Sequence, residues 1–150
     1  MHHSARFNAT TQRSPHARLL LVDDEQLIRE LYARVLSLEG YEVETVDDGV
    51  AALERLAEEK FDLVLTDWEM PRLDGASMTL TLRSAGSHIP VIMISGLPAL
   101  LPMAITRQFA AILPKPARHA EIVTAVSRAL GGAPAWRTLR FDHASTLAAA

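Results

Sequence analysis

Residues 61–75 read FDLVLTDWEMPRLDG, and this stretch decides how the rest of the chain is interpreted. It begins with an apolar run, Leu63 to Leu65, reaches a single carboxylate at Asp67, and ends in turn-forming residues. A short apolar run bounded by turn residues is typical of a buried strand in a parallel sheet. Open parallel sheets bind their ligands beyond the carboxyl ends of the strands. The pattern therefore predicts that Asp67 lies at a binding edge.

Apolar runs and helical patterns alternate along the whole chain. Strands are predicted at residues 18–22, 41–46, 61–66, 91–95 and 110–113. Helices are predicted at residues 26–38, 50–59, 76–84, about 103–108 and 118–130. Such alternation indicates parallel strands joined by right-handed crossovers. We expect an α/β fold, a doubly wound five-stranded parallel sheet with helices on both faces.

Two helical segments carry predictions about burial. In the first helix, Leu27, Leu31, Val35 and Leu38 recur at spacings of four, four and three, so we expect them to form its buried face. The segment before the fourth helix, residues 97–105, is unusually apolar and interrupted by prolines. Two interpretations of that segment stay open: a shortened helix tucked against the domain, or an exposed patch that meets a partner.

The composition excludes several classes of function. The chain has no cysteine, so it has no disulfide framework and no thiolate metal site. It has neither a membrane-length apolar run nor a secretory signal, so we expect a cytoplasmic protein without a membrane partner. Residues 18–131 hold 11 basic and 17 acidic residues. An acidic domain argues against a nucleic-acid partner, which requires a basic face.

The chain divides into three parts. Residues 1–17 are polar and irregular, so we expect a disordered leader. Residues 18–131 hold all the predicted strands and helices and have the size of one domain. Residues 132–150 are too few to bury a core of their own, so we expect a C-terminal tail with no output domain.

Chemistry-bearing side chains lie at the ends of four of the predicted strands. Asp23 and Asp24 follow the first strand, Asp67 the third and Lys115 the fifth, and Ser95 is the last residue of the fourth. Converging carboxylates repel one another unless a cation joins them, and ligands that are all oxygen favour Mg²⁺. Lysine and hydroxyl groups bind phosphoryl oxygens. The edge therefore predicts a site that holds a phosphoryl group on or near a carboxylate, the chemistry of an aspartate nucleophile.

Four motifs carry a resemblance to a known family. They are LLLVDDE at 19–25, DLVLTDWEMPRLDG at 62–75, VIMISG at 91–96 and LPKP at 113–116. In order and spacing they resemble the receiver domain of two-component response regulators across residues 18–131. The resemblance implies a flavodoxin-like (βα)5 fold and a stand-alone response regulator that signals through contact with a downstream protein. Its phosphodonor would be a sensor histidine kinase or a histidine phosphotransfer protein.

The resemblance also implies a role for each residue of the site. Asp67 would be the phosphoacceptor. Mg²⁺ would be held by Asp23, Asp24, Asp67 and the backbone carbonyl of Glu69. The phosphoryl group would be bound by Ser95, Lys115 and the backbone of Trp68 and Gly96. In the family, the peptide bond equivalent to Lys115–Pro116 is often cis.

The chain departs from the family pattern on one side of the site. Ile112 stands where the family usually has an aromatic switch residue, so we expect the phosphate signal to couple differently to the far face. The stretch from Ser95 to Lys115 is about two residues shorter than usual, and it includes the family's partner and dimer surface, which leaves a homodimer open. Glu69 and Leu97 fall at positions that tune self-dephosphorylation, and we expect a moderately long-lived phosphoryl state.

Two rival functions remain open. A Mg²⁺-dependent phosphohydrolase with an aspartate nucleophile would use a similar set of groups, but such enzymes typically show Asp-x-Asp at the nucleophile strand. Here Asp67 is followed by Trp68 and Glu69. A receiver-like interaction module that is never phosphorylated is the other rival. We expect neither, and predict a protein that accepts and loses its own phosphoryl group without being a turnover enzyme.

Overall fold

Five short strands pair side by side into one parallel sheet in the order β2-β1-β3-β4-β5. The computed structural model describes residues 16–131. The strands are β1 (Arg18–Val22), β2 (Glu42–Val46), β3 (Leu63–Asp67), β4 (Val91–Ser95) and β5 (Ala111–Pro114). The helices are α1 (Gln26–Leu38), α2 (Gly49–Glu58), α3 (Gly75–Ser84), α4 (Met103–Thr106) and α5 (His119–Ala129), with a 3-10 turn at Pro98–Leu100. The predicted doubly wound α/β fold is confirmed.

The predicted bounds lie within two residues of the observed ones. The shortest of the α-helices is α4, which is a single turn. Almost all of the predicted leader, and the whole tail at residues 132–150, lie outside the described residues. Within residues 16–131, none of the helices has both the length and the hydropathy that a membrane span requires.

Alternate residues of the strands build two separate layers of core. On one face, leucines of β1 and β3 pack with α1 and α5, as in the cluster that holds Leu19, Leu21, Leu63 and Leu65. On the other face, Leu20, Val22 and Val64 pack against α2 and α3. Because neighbouring side chains of a strand point to opposite faces, continuous apolar strands are buried on both sides. This is why β3 and β4 have no exposed residue.

Strand register places the chemistry at one edge. β1 pairs Val22 with Thr66 of β3, so Asp23 leaves the sheet beside Asp67. β4 pairs Ser95 with Pro114 of β5, so Lys115 leaves the sheet at the same level. All strands are parallel, so these residues share the carboxyl edge of the sheet.

The predicted buried face of α1 is wrong. Leu27, Leu31 and Leu38 are 80%, 54% and 75% exposed, and Val35 is half-buried. The helix instead turns Ile28, Tyr32 and Leu36 toward the sheet, with Tyr32 and Leu36 buried. These three residues have the same spacing of four as the predicted stripe, displaced by about one position. The helix therefore carries an exposed leucine stripe, made of Leu27, Leu31 and Leu38.

The segment between β4 and β5 is both partly buried and partly exposed, and its contact with a partner stays a prediction. It is short and partly tucked in, since Leu101 is buried. It also exposes three large apolar side chains, Leu97, Leu100 and Met103, at 57%, 70% and 70%. The single turn of α4 is too short to bury all of the apolar residues that the segment carries. We call these three residues the β4–α4 patch.

Candidate functional site

Three carboxylates meet at the carboxyl edge of the sheet. Asp23, Asp24 and Asp67 each offer an oxygen, and these oxygens lie within 4.8 Å of one another. Asp23 is 2% exposed and Asp67 is 4% exposed, whereas Asp24 faces solvent. The sequence predicted that these residues converge, and they do.

Burial makes this arrangement electrostatically costly. Burial, with the nearby charges of Asp67 and Asp24, raises the pKa of Asp23 to about 6, against the lowering effect of a backbone hydrogen bond and Lys115. Burial also raises the pKa of Asp67, even though the hydrogen bond and charge of Lys115 pull it down. Both shifts have one physical meaning: the buried, charged carboxylates lack part of the positive charge that would stabilise them.

Lys115 supplies some of that charge. Its Nζ lies 2.9 Å from Asp67 Oδ2. Burial alone would lower the pKa of the ammonium, but the hydrogen bond to Asp67 and the charges of Asp67, Asp23 and Glu25 leave it raised. The backbone N–H of Lys115 donates to the carbonyl of Ser95 at 2.8 Å. The Lys115–Pro116 peptide is cis, as the resemblance implied.

The backbone around Asp23 is held by the start of α1. The Asp23 carboxylate accepts the backbone N–H of Glu25 at 2.9 Å. One turn into the helix, Arg29 donates from Nη1 to the Asp23 carbonyl at 2.7 Å. Sequence reasoning missed Arg29, because the pattern contains no signal that this guanidinium folds back toward β1.

The backbone of Asp67 is enclosed by the start of α3. The hydroxyl of Thr66 donates to the Asp67 carbonyl at 2.9 Å. The N–H of Gly75 donates to the Trp68 carbonyl at 2.9 Å. A Cβ added to Gly75 would lie 2.2 Å from the Asp67 carbonyl oxygen. A side chain at position 75 would force this backbone apart, which explains the glycine at the end of the opening stretch.

A cleft of about 610 Å³ opens over these groups. Asp74 lies in it but is engaged in capping α3, where it accepts from Ser77 N–H at 2.7 Å. The cleft is therefore largely acidic, with Lys115 as a cation in its lining. Its lining residues are Asp24, Glu25, Asp67, Trp68, Glu69, Met70, Pro71, Asp74 and Lys115.

The contacts of the remaining predicted residues do not by themselves show a role in phosphate binding or signalling. Ser95 is buried and its hydroxyl accepts the N–H of Leu97 at 3.2 Å, so it ends β4 next to the cleft without lining it. The Trp68 N–H, predicted to bind phosphate, donates to the Ile94 carbonyl at 3.1 Å. Gly96 is exposed and Ile112 is half-buried in β5. Their roles stay predictions.

The donor set fits a hard divalent cation. The three converging groups are all carboxylates, and two of them are buried with a raised pKa. Mg²⁺ accepts oxygen ligands and pairs one or two carboxylates with phosphate oxygens. Asp23, Asp24 and Asp67 are the residues that would hold it.

Comparison with known proteins assigns the family. The model of the response regulator receiver domain matches residues 19–127. The chain belongs to the response regulator receiver family. It is therefore a receiver domain of two-component signalling, and receiver domains of response regulators are signalling proteins.

Relatives of this receiver domain include longer regulators. It is 44% identical over 78 residues to the response regulator MprA of Mycobacterium leprae, a match that covers 52% of this chain and 34% of that protein. The chain thus spans about a third of the length of the curated relatives it matches.

Solved structures agree on the fold. The signal receiver domain of the putative response regulator NarL from Mycobacterium tuberculosis is 37% identical with a TM-score of 0.65, covering 77% of this chain and 98% of that one. The response regulator TrrA from Thermotoga maritima, solved in complex with Mg(2+)-BeF, is 29% identical with a TM-score of 0.71, covering 76% and 99%.

Proposed function

We propose that this receiver domain accepts a phosphoryl group on Asp67 in a Mg²⁺-dependent reaction. The observation that carries the proposal is the position of the Asp67 carboxylate. It contacts Lys115 at 2.9 Å and lies within 4.8 Å of the oxygens of Asp23 and Asp24. Its exposure is only 4%, yet it lines an open cleft. A small or flexible donor group can reach it while the sheet shields the rest of the residue.

The chemistry follows from a carboxylate used as a nucleophile. An Asp67 oxygen attacks the phosphorus of a phosphohistidine, so that an O–P bond forms and the donor's N–P bond breaks. The electron pair of the broken bond stays on the imidazole nitrogen, which is then protonated. The raised pKa of Asp67 makes its anion a better nucleophile, provided that the pH is high enough to ionise it.

Lys115 and the acidic residues divide the remaining work. The Lys115 ammonium lies beside Asp67, where it would bind an oxygen of the phosphoryl group once that group has moved from the donor to Asp67. Asp23 and Asp24 would hold Mg²⁺ together with Asp67 and the Glu69 carbonyl. The cation, when bound, supplies charge neutralisation for the phosphoryl group. The solved structure of TrrA in complex with Mg(2+)-BeF supports Mg²⁺ as this cation.

The donor is proposed to be a sensor histidine kinase or a phosphotransfer protein. It must approach through the cleft, whose wall includes Glu25 at the start of α1. The exposed leucine stripe runs along α1 from Leu27, two residues beyond that wall. The position of the stripe beside the mouth of the cleft supports α1 as a contact for the donor. A small donor such as acetyl phosphate needs no such contact.

The signal is proposed to leave through protein contacts on the β4–α4 side. Ser95, whose hydroxyl is predicted to bind the phosphoryl group, now accepts a hydrogen bond from Leu97. A move of Ser95 toward the phosphoryl group would break that bond and release the start of the β4–α4 patch. This supports a shift between two conformational populations in which Ile112 takes the place of the aromatic switch.

The test is intact-mass spectrometry after incubation with acetyl phosphate and Mg²⁺. We expect a single added phosphoryl group that is absent in Asp67→Asn and absent when Mg²⁺ is chelated. Asp47→Asn, an exposed aspartate of the β2–α2 connection, is the matched control and should be phosphorylated normally.

Two results would contradict the proposal. One is a phosphoryl group that persists in Asp67→Asn, which would place it elsewhere. The other is continuous hydrolysis of a phosphoester by the wild type beyond one equivalent per chain, which would favour the phosphohydrolase.

A further inference from the structure

Arg29 is a cation beside the acidic centre that the proposed chemistry does not use. It lies one turn into α1 and is half-buried. Its backbone N–H donates to the Glu25 carbonyl at 2.9 Å, a helical bond that fixes the base of the side chain. Side chains of a helix lean toward its N-terminus, and this lean lets the guanidinium reach back to β1. Its Nη1 donates there to the Asp23 carbonyl at 2.7 Å.

This carbonyl belongs to the peptide that joins Asp23 to Asp24, two proposed ligands of Mg²⁺. A peptide is planar, so a bond that fixes its oxygen also fixes the plane between the two residues. The other groups of Asp23 are held as well, since its N–H donates to the Val46 carbonyl at 3.2 Å and its carboxylate accepts the Glu25 N–H at 2.9 Å. The bond from Arg29 therefore holds the remaining backbone group of Asp23.

The direction of the Asp24 side chain depends on the same peptide. Asp24 is exposed, and its carboxylate makes no hydrogen bond or ion pair with any other residue of the stretch 16–131. No neighbouring side chain therefore orients this carboxylate before a cation binds. Its direction is set by the backbone, and Arg29 holds the peptide that precedes it.

The charge of Arg29 is not used to pair with a carboxylate. Arg18 and Arg55 each form ion pairs with glutamates, whereas Arg29 forms none with the acidic residues that the structure describes. A positive charge beside a cation site repels the cation and should weaken its binding. Arg29 would therefore oppose Mg²⁺ binding if its charge were its only effect on the site.

We propose that Arg29 is a positioning residue for the Mg²⁺ site: by holding the Asp23 carbonyl, it orients the carboxylates of Asp23 and Asp24. The inference rests on the proposed function, because the two aspartates must bind Mg²⁺ for their orientation to matter. It differs in sign from the effect of charge alone. Loss of repulsion would tighten Mg²⁺ binding, whereas loss of the carbonyl contact weakens it.

The test is calorimetric titration of Arg29→Met and Arg34→Met with Mg²⁺ at one pH and one ionic strength. Both variants lose one positive charge from α1, but Arg34 is exposed and makes no hydrogen bond or ion pair within residues 16–131. We expect the Kd of Mg²⁺ to rise about three- to tenfold in Arg29→Met, less than when a ligating group itself loses its partner. Arg34→Met should stay within about twofold of the wild type, because exposed charges are largely screened.

Two results would overturn the inference. One is a Kd that falls in Arg29→Met, which would show that the guanidinium acts on the site by charge alone. The other is an unchanged Kd, even in a less stable variant, because a purely structural hydrogen bond affects stability without affecting the affinity for the metal.

Side-chain nitrogen relaxation, measured by NMR on the Mg²⁺-free wild type, tests the contact without any variant. The Nε–H of Arg29 should be rigid, with an order parameter of about 0.8, and that of Arg34 should be flexible, with a value below about 0.6. An Arg29 side chain as mobile as Arg34 would refute the contact, whether or not Arg29→Met folds.

Failure of the proposed function would look different, because all of these measurements use unphosphorylated protein. A wild type that binds Mg²⁺ but takes up no phosphoryl group would refute the proposed phosphorylation and leave the Arg29 result standing. A wild type that binds no Mg²⁺ would refute the proposed function and this inference together.

Discussion

Lys115 Nζ lies 2.9 Å from Asp67 Oδ2, although β4 separates the strands that carry the two residues. The contact spans the end of β4, where the Lys115 N–H donates a hydrogen bond to the Ser95 carbonyl. The lysine is therefore directed at Asp67 by the same residue that is predicted to bind the phosphoryl group. These two contacts join the ends of β3, β4 and β5 at this edge.

Lys115→Ala should slow phosphorylation by acetyl phosphate by about 10- to 100-fold, because a charged group that stabilises the transferred phosphoryl is lost. The change also removes a positive charge that favours the Asp67 anion. Intact-mass time courses at saturating Mg²⁺ measure the effect. Lys60→Ala, which changes the other lysine of the chain, is the matched control and should react at the wild-type rate.

Without Mg²⁺, the free energy of unfolding should fall as the pH rises from about 4 through about 6. The pKa of Asp23 is about 6 in the folded protein, above its usual 3.8, so the folded state binds this proton more tightly than the unfolded state. The contribution is complete at low pH and is lost as Asp23 ionises. The raised pKa of Asp67 acts in the same direction.

Mg²⁺ should reverse that loss, since it binds the ionised carboxylates. At 100 times its Kd it stabilises by about 2.7 kcal/mol, or a rise in Tm of about 10 °C. Thermal unfolding between pH 4.5 and pH 8, with and without Mg²⁺, measures both effects. A Mg²⁺-induced rise in Tm that is the same at pH 5 and pH 8 would show that Asp23 is not a ligand.

Gly75→Ala should destabilise the protein by about 1–3 kcal/mol, because the new Cβ would meet the Asp67 carbonyl at 2.2 Å and force the backbone apart. Chemical denaturation measures the loss. Gly96→Ala is the control for stability, since a Cβ there meets nothing within 4 Å, and its effect should stay within about 0.5 kcal/mol. Equal effects of the two changes would contradict the close approach of α3 to β3.

Leu36→Ala and Leu31→Ala should differ sharply although both remove a leucine from α1. Leu36 is fully buried, so its truncation should cost about 2–5 kcal/mol. Leu31 is 54% exposed, and its truncation should cost no more than about 0.5 kcal/mol. Denaturant midpoints measure both changes. A larger cost at Leu31 would show that the helix packs as its leucine pattern predicts.

The sheet was predictable because buried parallel strands are continuous apolar runs that end in polar residues. In the structure, Val22 pairs with Thr66 and Ser95 pairs with Pro114, and this register brings the residues that follow them together. The convergence of Asp23, Asp24 and Asp67 was therefore predictable from their shared place at the carboxyl ends of parallel strands. The match of the family model to residues 19–127 agrees with that reasoning.

The rotation of α1 was not predictable in the same way. A hydropathy pattern favours leucine over tyrosine, but the aromatic ring of Tyr32 is buried in the core cluster between α1 and the sheet. The helix therefore turns Tyr32 inward and leaves Leu31 half in solvent. Contacts with the backbone, such as that of Arg29 with the Asp23 carbonyl, leave no trace in residue periodicity. The direction of the Ser95 hydroxyl escaped prediction for the same reason.

The parallel arrangement of the strands also makes the two ends of the sheet unequal in their tolerance of inserted sequence. Every proposed ligand of Mg²⁺ or phosphate leaves the sheet at its carboxyl edge. The connections at the opposite edge include the turn at Gly86, where an added Cβ would have open space around it. A reporter domain or affinity tag spliced there would lie a full strand length from the acidic centre. An insertion at the carboxyl edge would disturb the proposed ligands, so the connections at the opposite edge are the better place for one.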